Sequence, residues 1–159
     1  MPRPSLGDPA MLLATVGGVG LLPAAPGTCG SLVGVALAWA LPEPHLLIPV
    51  CAILFTLGLW ASEHVARRSG IADPGFIVID EVVGQALVLA LAPPSPWVYA
   101  TGFVLFRIAD IFKPWPIRDI ETKFRNGFGI MVDDVAAAVY AGAVLLIGLK
   151  IYPELAHGT

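Results

Sequence analysis

The chain has 159 residues, a one-domain length, with 57% hydrophobic and only 13% charged positions, against about 45–50% and about 25% in an average soluble domain. That composition, with a mean hydropathy of +0.80, excludes a disordered tail and a coiled coil. Nine Lys+Arg against twelve Asp+Glu give a net charge of −3, which excludes a polyanion footprint and hence nucleic acid as a partner.

So much apolar surface predicts an all-α, compact polytopic transmembrane helical bundle formed by residues 1–159 as a single domain; a compact soluble bundle is the alternative. In chain order, a short helix is expected over 8–22. Its apolar stretch before Pro23-Ala-Ala-Pro26 loosely mimics a cleaved leader, but Gly17, Gly18 and Gly20 interrupt it, so retention as an interfacial or buried helix is expected. Five main helices follow, over about 30–42, 45–63, 79–92, 96–112 and 133–151. The third and fourth are separated by Pro93-Pro-Ser-Pro96, a tight hairpin. Segments 64–78 and 113–132 connect the rest. The first main helix is short enough to span or to be re-entrant. No segment alternates with period two, which disfavours a β-barrel.

Basic residues are unevenly placed. Arg3, Arg67, Arg68, Lys113, Arg118, Lys123 and Arg125 lie on one side, and Lys150 alone on the other. This puts the N-terminus and both longer loops in the cytoplasm. Cys29 and Cys51 have no CxxC spacing, and His45, His64 and His157 are scattered, so neither a disulfide nor a zinc site is expected.

Ionisable residues at membrane helix ends are candidates for chemistry. Asp80 and Glu81 open the helix at 79, and Asp133 and Asp134 are expected to open the last one. Arg107 and Asp110 share a face, with Lys113 three residues further on. Gly27-Thr28-Cys29-Gly30-Ser31 opens the first main helix. Each group also has a structural reading as helix cap, ion pair or turn. Arg118, Asp119, Glu121, Lys123 and Arg125 read as a solvated face, and Glu63, His64, Arg67 and Arg68 as helix-end residues. Read together, Asp80, Glu81, Asp133 and Asp134, with Asp110 as a further donor, suit a hard oxygen-loving cation such as Mg²⁺. Arg107 and Lys113 suit an anion beside it. Gly27, Thr28, Gly30 and Ser31 suit phosphate at a helix N-terminus. The combination describes phosphoryl chemistry on a lipid.

The same residues carry a family resemblance. Gly27-Thr-Cys-Gly-Ser31, Ile79-Asp-Glu-Val-Val-Gly84, Phe106-Arg-Ile-Ala-Asp110, Lys113-Pro-Trp-Pro-Ile-Arg118 and Gly127-Phe-Gly-Ile-Met-Val-Asp-Asp134 resemble phosphatidylglycerophosphatase A, in the family's order and over about residues 20 to 150. The resemblance implies a Mg²⁺-dependent phosphatase of the bacterial inner membrane, its site facing the cytoplasm. It would hydrolyse phosphatidylglycerol phosphate to phosphatidylglycerol and phosphate. Asp80, Glu81, Arg107, Asp110, Lys113, Asp133 and Asp134 would form its catalytic set. Asp110 or Asp134 would orient or deprotonate a water; direct attack by an Asp ranks below water attack. Alternatives are a CDP-alcohol phosphatidyltransferase-like enzyme, whose longer Asp-x-x-Asp-Gly run this chain lacks, and a small transport subunit, whose charges would lie at mid-membrane. A non-enzymatic scaffold with acidic helix caps is a third. Beyond the substrate and membrane lipids, the oligomeric state is open, a homodimer through small residues such as Ala137, Ala141 and Gly142 being one arrangement.

Overall fold

A computed structural model of the chain describes residues 7–124 and 126–154, with side chains at all of them except 120–122. Arg3, Arg125 and His157 of the sequence reading lie outside the described residues, as does the side chain of Glu121. The described residues are helical, with no strand among them: α1 Pro9–Ala14, a 3-10 turn Val19–Leu21, α2 Pro26–Ala40, α3 Pro44–Ser69, α4 Ile79–Leu89, α5 Pro96–Phe112, α6 Ile117–Lys123 and α7 Gly127–Ile151.

Proline and glycine set most of these boundaries. Proline stands in the first turn of α1, α2, α3 and α5, where its missing N–H costs nothing. Gly70, with φ of 70°, closes α3 in the left-handed cap that glycine adopts without a Cβ penalty. The expected helix over 8–22 is instead a six-residue helix, a turn with positive φ at Val16, Gly17 and Gly18, and the 3-10 turn. The segment expected to connect 113–132 contains α6 and the first turn and a half of α7. Helix α7 begins six residues before the expected 133, because Asn126 caps it by accepting the Gly129 N–H at 3.1 Å.

Helix α4 is the axis. It packs against α2, α3, α5 and α7, and nine of its eleven residues are buried. Glycines permit the close approaches: a Cβ on Gly34 of α2 would lie 2.8 Å from the Gln85 side chain, and one on Gly84 would lie 2.7 Å from the Phe106 ring. Ala137 and Ala141 are buried in this same core, so of the three small residues named for a possible dimer face, only Gly142 is left outside it.

Two helices are long and apolar enough to cross a membrane, Pro44–Ser69 and Gly127–Ile151. Only 28% and 44% of their apolar windows are buried, so most of that surface faces outward. Helix α4, with eleven residues, is about 16 Å long and too short to cross the roughly 30 Å hydrocarbon core by itself.

Candidate active site

One end of the bundle collects the charged residues. Asp80 and Glu81 occupy the first turn of α4. The early start of α7 puts Asp133 and Asp134 two turns inside that helix, where both are buried. They therefore do not open it, and a capping role is excluded for them. Ligand oxygens of Asp80, Glu81 and Asp134 all lie within 4.8 Å of one another. Three carboxylates so close repel by about 3–4 kcal/mol per pair at an effective dielectric near 20. Burial, then Glu81 and Asp134, hold the Asp80 carboxyl well above the usual carboxylate range.

The cationic half comes from α5. Arg107 Nη1 lies 2.7 Å from Asp110 Oδ2 and donates to Ser31 Oγ at 3.3 Å. Ser31 in turn donates to the Gly27 carbonyl at 3.0 Å. Helix α2 begins at Pro26, so Gly27–Ser31 form its first turn and a half, and no side chain caps its N-terminus. Unpartnered first-turn N–H groups make such an end attractive to anions. A Cβ on Gly27 would lie 2.4 Å from Glu81 Oε1 and 3.5 Å from Arg107 Nη1. Glycine thus lets this helix end approach both the acidic and the basic part of the site. Thr28 is half-buried in the same turn.

Lys113 and Asp133 form a pair at the edge of that group. Lys113, the left-handed cap of α5, reaches Asp133 Oδ2 at 2.8 Å. Asp133 Oδ1 accepts the Asp134 N–H at 3.0 Å. Both oxygens of Asp133 accept a hydrogen bond, and of the four expected metal ligands the three whose oxygens meet within 4.8 Å are Asp80, Glu81 and Asp134. Asp110 completes the arrangement, lying against Asp134 while paired to Arg107.

Buried atoms of both signs have no partner here: Asp80 Oδ1, Glu81 Oε2 and Asp134 Oδ2 on one side, and Arg107 Nε on the other. Five carboxylates converge with only two cationic side chains. That donor set fits a hard divalent cation, which would restore the balance that repulsion disturbs. The free guanidinium N–H fits an oxyanion beside it.

The sequence reading gave Glu63 only as a helix-end residue and missed Gln85. Glu63 Oε2 accepts the Gly127 N–H at 2.7 Å, and its other oxygen pairs with Arg67. It anchors the start of α7, and so the placement of Asp134, to the end of α3. The i,i+4 spacing of Glu63 and Arg67 signalled the pair but not the distant amide. Gln85, one turn beyond Glu81, is fully buried with both amide atoms unpartnered; a lone glutamine in an apolar helix carries no sequence signal. Arg67, Arg68, Arg118, Asp119 and Lys123 are exposed, as a solvated face requires.

Comparisons with known proteins bear on this geometry. The family model described as phosphatidylglycerophosphatase A matches residues 12–149. A Haemophilus influenzae protein of that name is 43% identical over 145 residues, 89% of each chain. The Escherichia coli protein of that name is 36% identical over 151 residues, 90% of this chain and 85% of its own. A Bacteroides thetaiotaomicron protein whose name proposes a phosphatidylinositol-3-phosphatase is 38% identical over 157 residues, 92% and 96%. No solved structure matches.

Proposed function

This chain belongs to the phosphatidylglycerophosphatase A family and is a phosphatase, and from that premise we propose that it hydrolyses phosphatidylglycerol phosphate to phosphatidylglycerol and phosphate at the cytoplasmic face of the bacterial inner membrane, using Mg²⁺. The observation that carries the reading is the set of unpartnered, oppositely charged buried atoms at one end of the bundle. The excess of basic residues on the loops at that end supports the cytoplasmic orientation. The two long apolar helices support a polytopic membrane domain, with α4 packed against both.

Asp80, Glu81 and Asp134 would hold the cation. When bound, it supplies Lewis-acid polarisation of a phosphoryl oxygen and a lowered pKa for water. Arg107 is oriented by Ser31 and Asp110 and offers its remaining N–H groups to the phosphoryl oxygens as charge moves onto them. The first turn of α2, with Gly27, Thr28 and Gly30, adds backbone dipoles to the same anion. Lys113 neutralises Asp133 and adds positive potential at the rim. Asp134 keeps one unpartnered oxygen, whereas Asp110 is tied to Arg107. Asp134 is therefore the carboxylate better placed to orient the attacking water.

The test is phosphate release from phosphatidylglycerol phosphate in detergent. Glu81→Gln and Asp134→Asn each remove one charge and little volume, so activity falls by at least about 10²-fold while the thermal unfolding midpoint is kept. EDTA abolishes the wild-type activity and Mg²⁺ restores it. Full activity in either folded variant refutes the site, and activity indifferent to EDTA refutes the cation.

A further inference from the structure

Gln85 is a buried polar side chain that the phosphatase reading leaves unused. It is fully buried on α4, and neither atom of its carboxamide has a hydrogen-bond partner among the described residues. Burying an amide with nothing bonded to it is costly, and an apolar side chain of the same size avoids that cost. The residue lies one turn, about 6 Å, beyond Glu81 along α4, and both stems press on the same glycine stripe of α2. A Cβ on Gly30 would meet the Glu81 Cβ at 3.4 Å; one on Gly34 would meet the Gln85 Cβ at 2.8 Å and its Cγ at 3.2 Å. Side chains of an α-helix lean toward its N-terminus. The Gln85 carboxamide is therefore carried toward the first turn of α4, where Glu81 Oε2 is likewise buried without a partner. Between the two, α4 holds only Val82, Val83 and Gly84, so no other side chain of this helix can serve either group.

We propose that Gln85 is a positioning residue for the phosphatase site, holding the Glu81 carboxylate from below through enclosed water; the inference rests on the lipid-phosphatase reading above. Water that accepts from Gln85 Nε2 and donates to Glu81 Oε2 and Gln85 Oε1 gives all three a partner, and a buried polar pocket with that many partners retains water. Glu81 is then constrained twice. Gly27 clears room for its Oε1 on the α2 side, and the amide fixes its Oε2. The carboxylate is thereby kept where it meets Asp80 and Asp134. A neutral amide suits this task, because a lysine or arginine there would neutralise Glu81 and compete with a divalent cation for it. Gln85 touches neither the cation nor the phosphoryl group and acts only through Glu81.

Gln85 is the only glutamine of the chain, so glutamine labelled with nitrogen-15 at its side chain reports a single carboxamide. With the purified full chain in detergent and EDTA, its two protons are expected to show NMR cross-peaks to bound water. Glu81→Gln is expected to shift them, and Tyr140→Phe, which removes a hydroxyl bonded to the Trp115 carbonyl, is expected to leave them in place. Carboxamide protons without a water cross-peak, or moved equally by both variants, overturn the proposal. Two substitutions of Gln85 itself separate positioning from packing. Gln85→Leu removes the amide and is a good helix former, whereas Gln85→Asn keeps an amide on a shorter stem and is a poorer one. Packing alone ranks Leu above Asn in both unfolding midpoint and kcat. Positioning reverses the second order. Gln85→Leu is expected to lose about tenfold in kcat, less than a full 1 Å displacement brings, because Gly27 and Asp80 still bound the carboxylate, while its KM for phosphatidylglycerol phosphate stays within about twofold of wild type. Gln85→Asn, reaching Glu81 through added water, keeps a kcat at least about threefold above that of Gln85→Leu despite a lower midpoint. A kcat that follows the midpoint across the two variants, or a Gln85→Leu chain within about twofold of the wild-type kcat, overturns the proposal. A wild type whose carboxamide bonds water and answers to Glu81→Gln but releases no phosphate refutes the phosphatase reading and leaves the link between Gln85 and Glu81 standing.

Discussion

Gly27→Ala separates the demands of the helix from those of the site. The substitution adds a single methyl in the first turn of α2, where φ is helical and alanine is the better residue. In a helix interior the exchange favours folding by about 0.5–1 kcal/mol, and less in a first turn. The methyl would stand 2.4 Å from Glu81 Oε1 and 3.3 Å from its carboxyl carbon. Ordinary contact begins near 3.4 Å, so the carboxylate must retreat by about 1 Å. It is the far end of a flexible side chain and can do so without disturbing the backbone. Glu81 then leaves the position it shares with Asp80 and Asp134, and a 1 Å misplacement at a reacting centre costs on the order of 10²-fold in rate. The expected outcome is a variant at least as stable as the wild type to thermal unfolding in detergent, with phosphate release down by about 10²-fold and a higher Mg²⁺ concentration for half-maximal rate. Phosphate release within about threefold of wild type, at the same Mg²⁺ requirement, would refute the placement of α2 against the acidic cluster.

Two further substitutions probe other parts of the frame. Arg107→Lys keeps the charge but loses the fork that reaches Ser31, Asp110 and a phosphoryl oxygen together, so kcat/KM should fall by about 10²-fold with stability within about 1 kcal/mol; a loss below about fivefold argues that a point charge suffices. Gly127→Ala puts a Cβ 2.4 Å from the backbone nitrogen of Glu63, a group that cannot swing away, so it should destabilise the chain by about 1–3 kcal/mol, read as a lowered unfolding midpoint, and an unchanged midpoint would refute the α3–α7 packing.

The sequence was most legible where chemistry is local. Asp80 and Glu81 sit at the start of α4, and Arg107 and Asp110 pair across one helical turn, because i,i+3 spacing and a first-turn acid are properties of a few consecutive residues. The start of α7 was misplaced because the apolar run that marks a membrane helix begins only after Asp134, while the helix itself is begun by Asn126 and the glycines behind it. That error made Asp133 and Asp134 look equivalent. Adjacent residues on a helix point about 100° apart, so one joins Asp80 and Glu81 while its neighbour turns to Lys113. The docking of Gly127 onto Glu63 and the burial of Gln85 depend on which helices touch, and no local spacing encodes that.

The N-terminal stretch that matched no motif works as a splint for the motif that matters most. The Val78 N–H donates to the Ala14 carbonyl at 2.8 Å, and Gly20 passes so close to the Phe76 carbonyl that any side chain there would collide with it. Asp8 fastens the same segment to Arg68 at 2.9 Å. Residues 8–20 therefore clamp the turn-rich segment that delivers the chain into Asp80 and Glu81. A chain trimmed to Pro26 would keep every residue of the reaction centre, yet it would leave the Val78 amide without its acceptor, at a cost of about 1–3 kcal/mol, two residues from the carboxylate that the whole bundle is arranged to present.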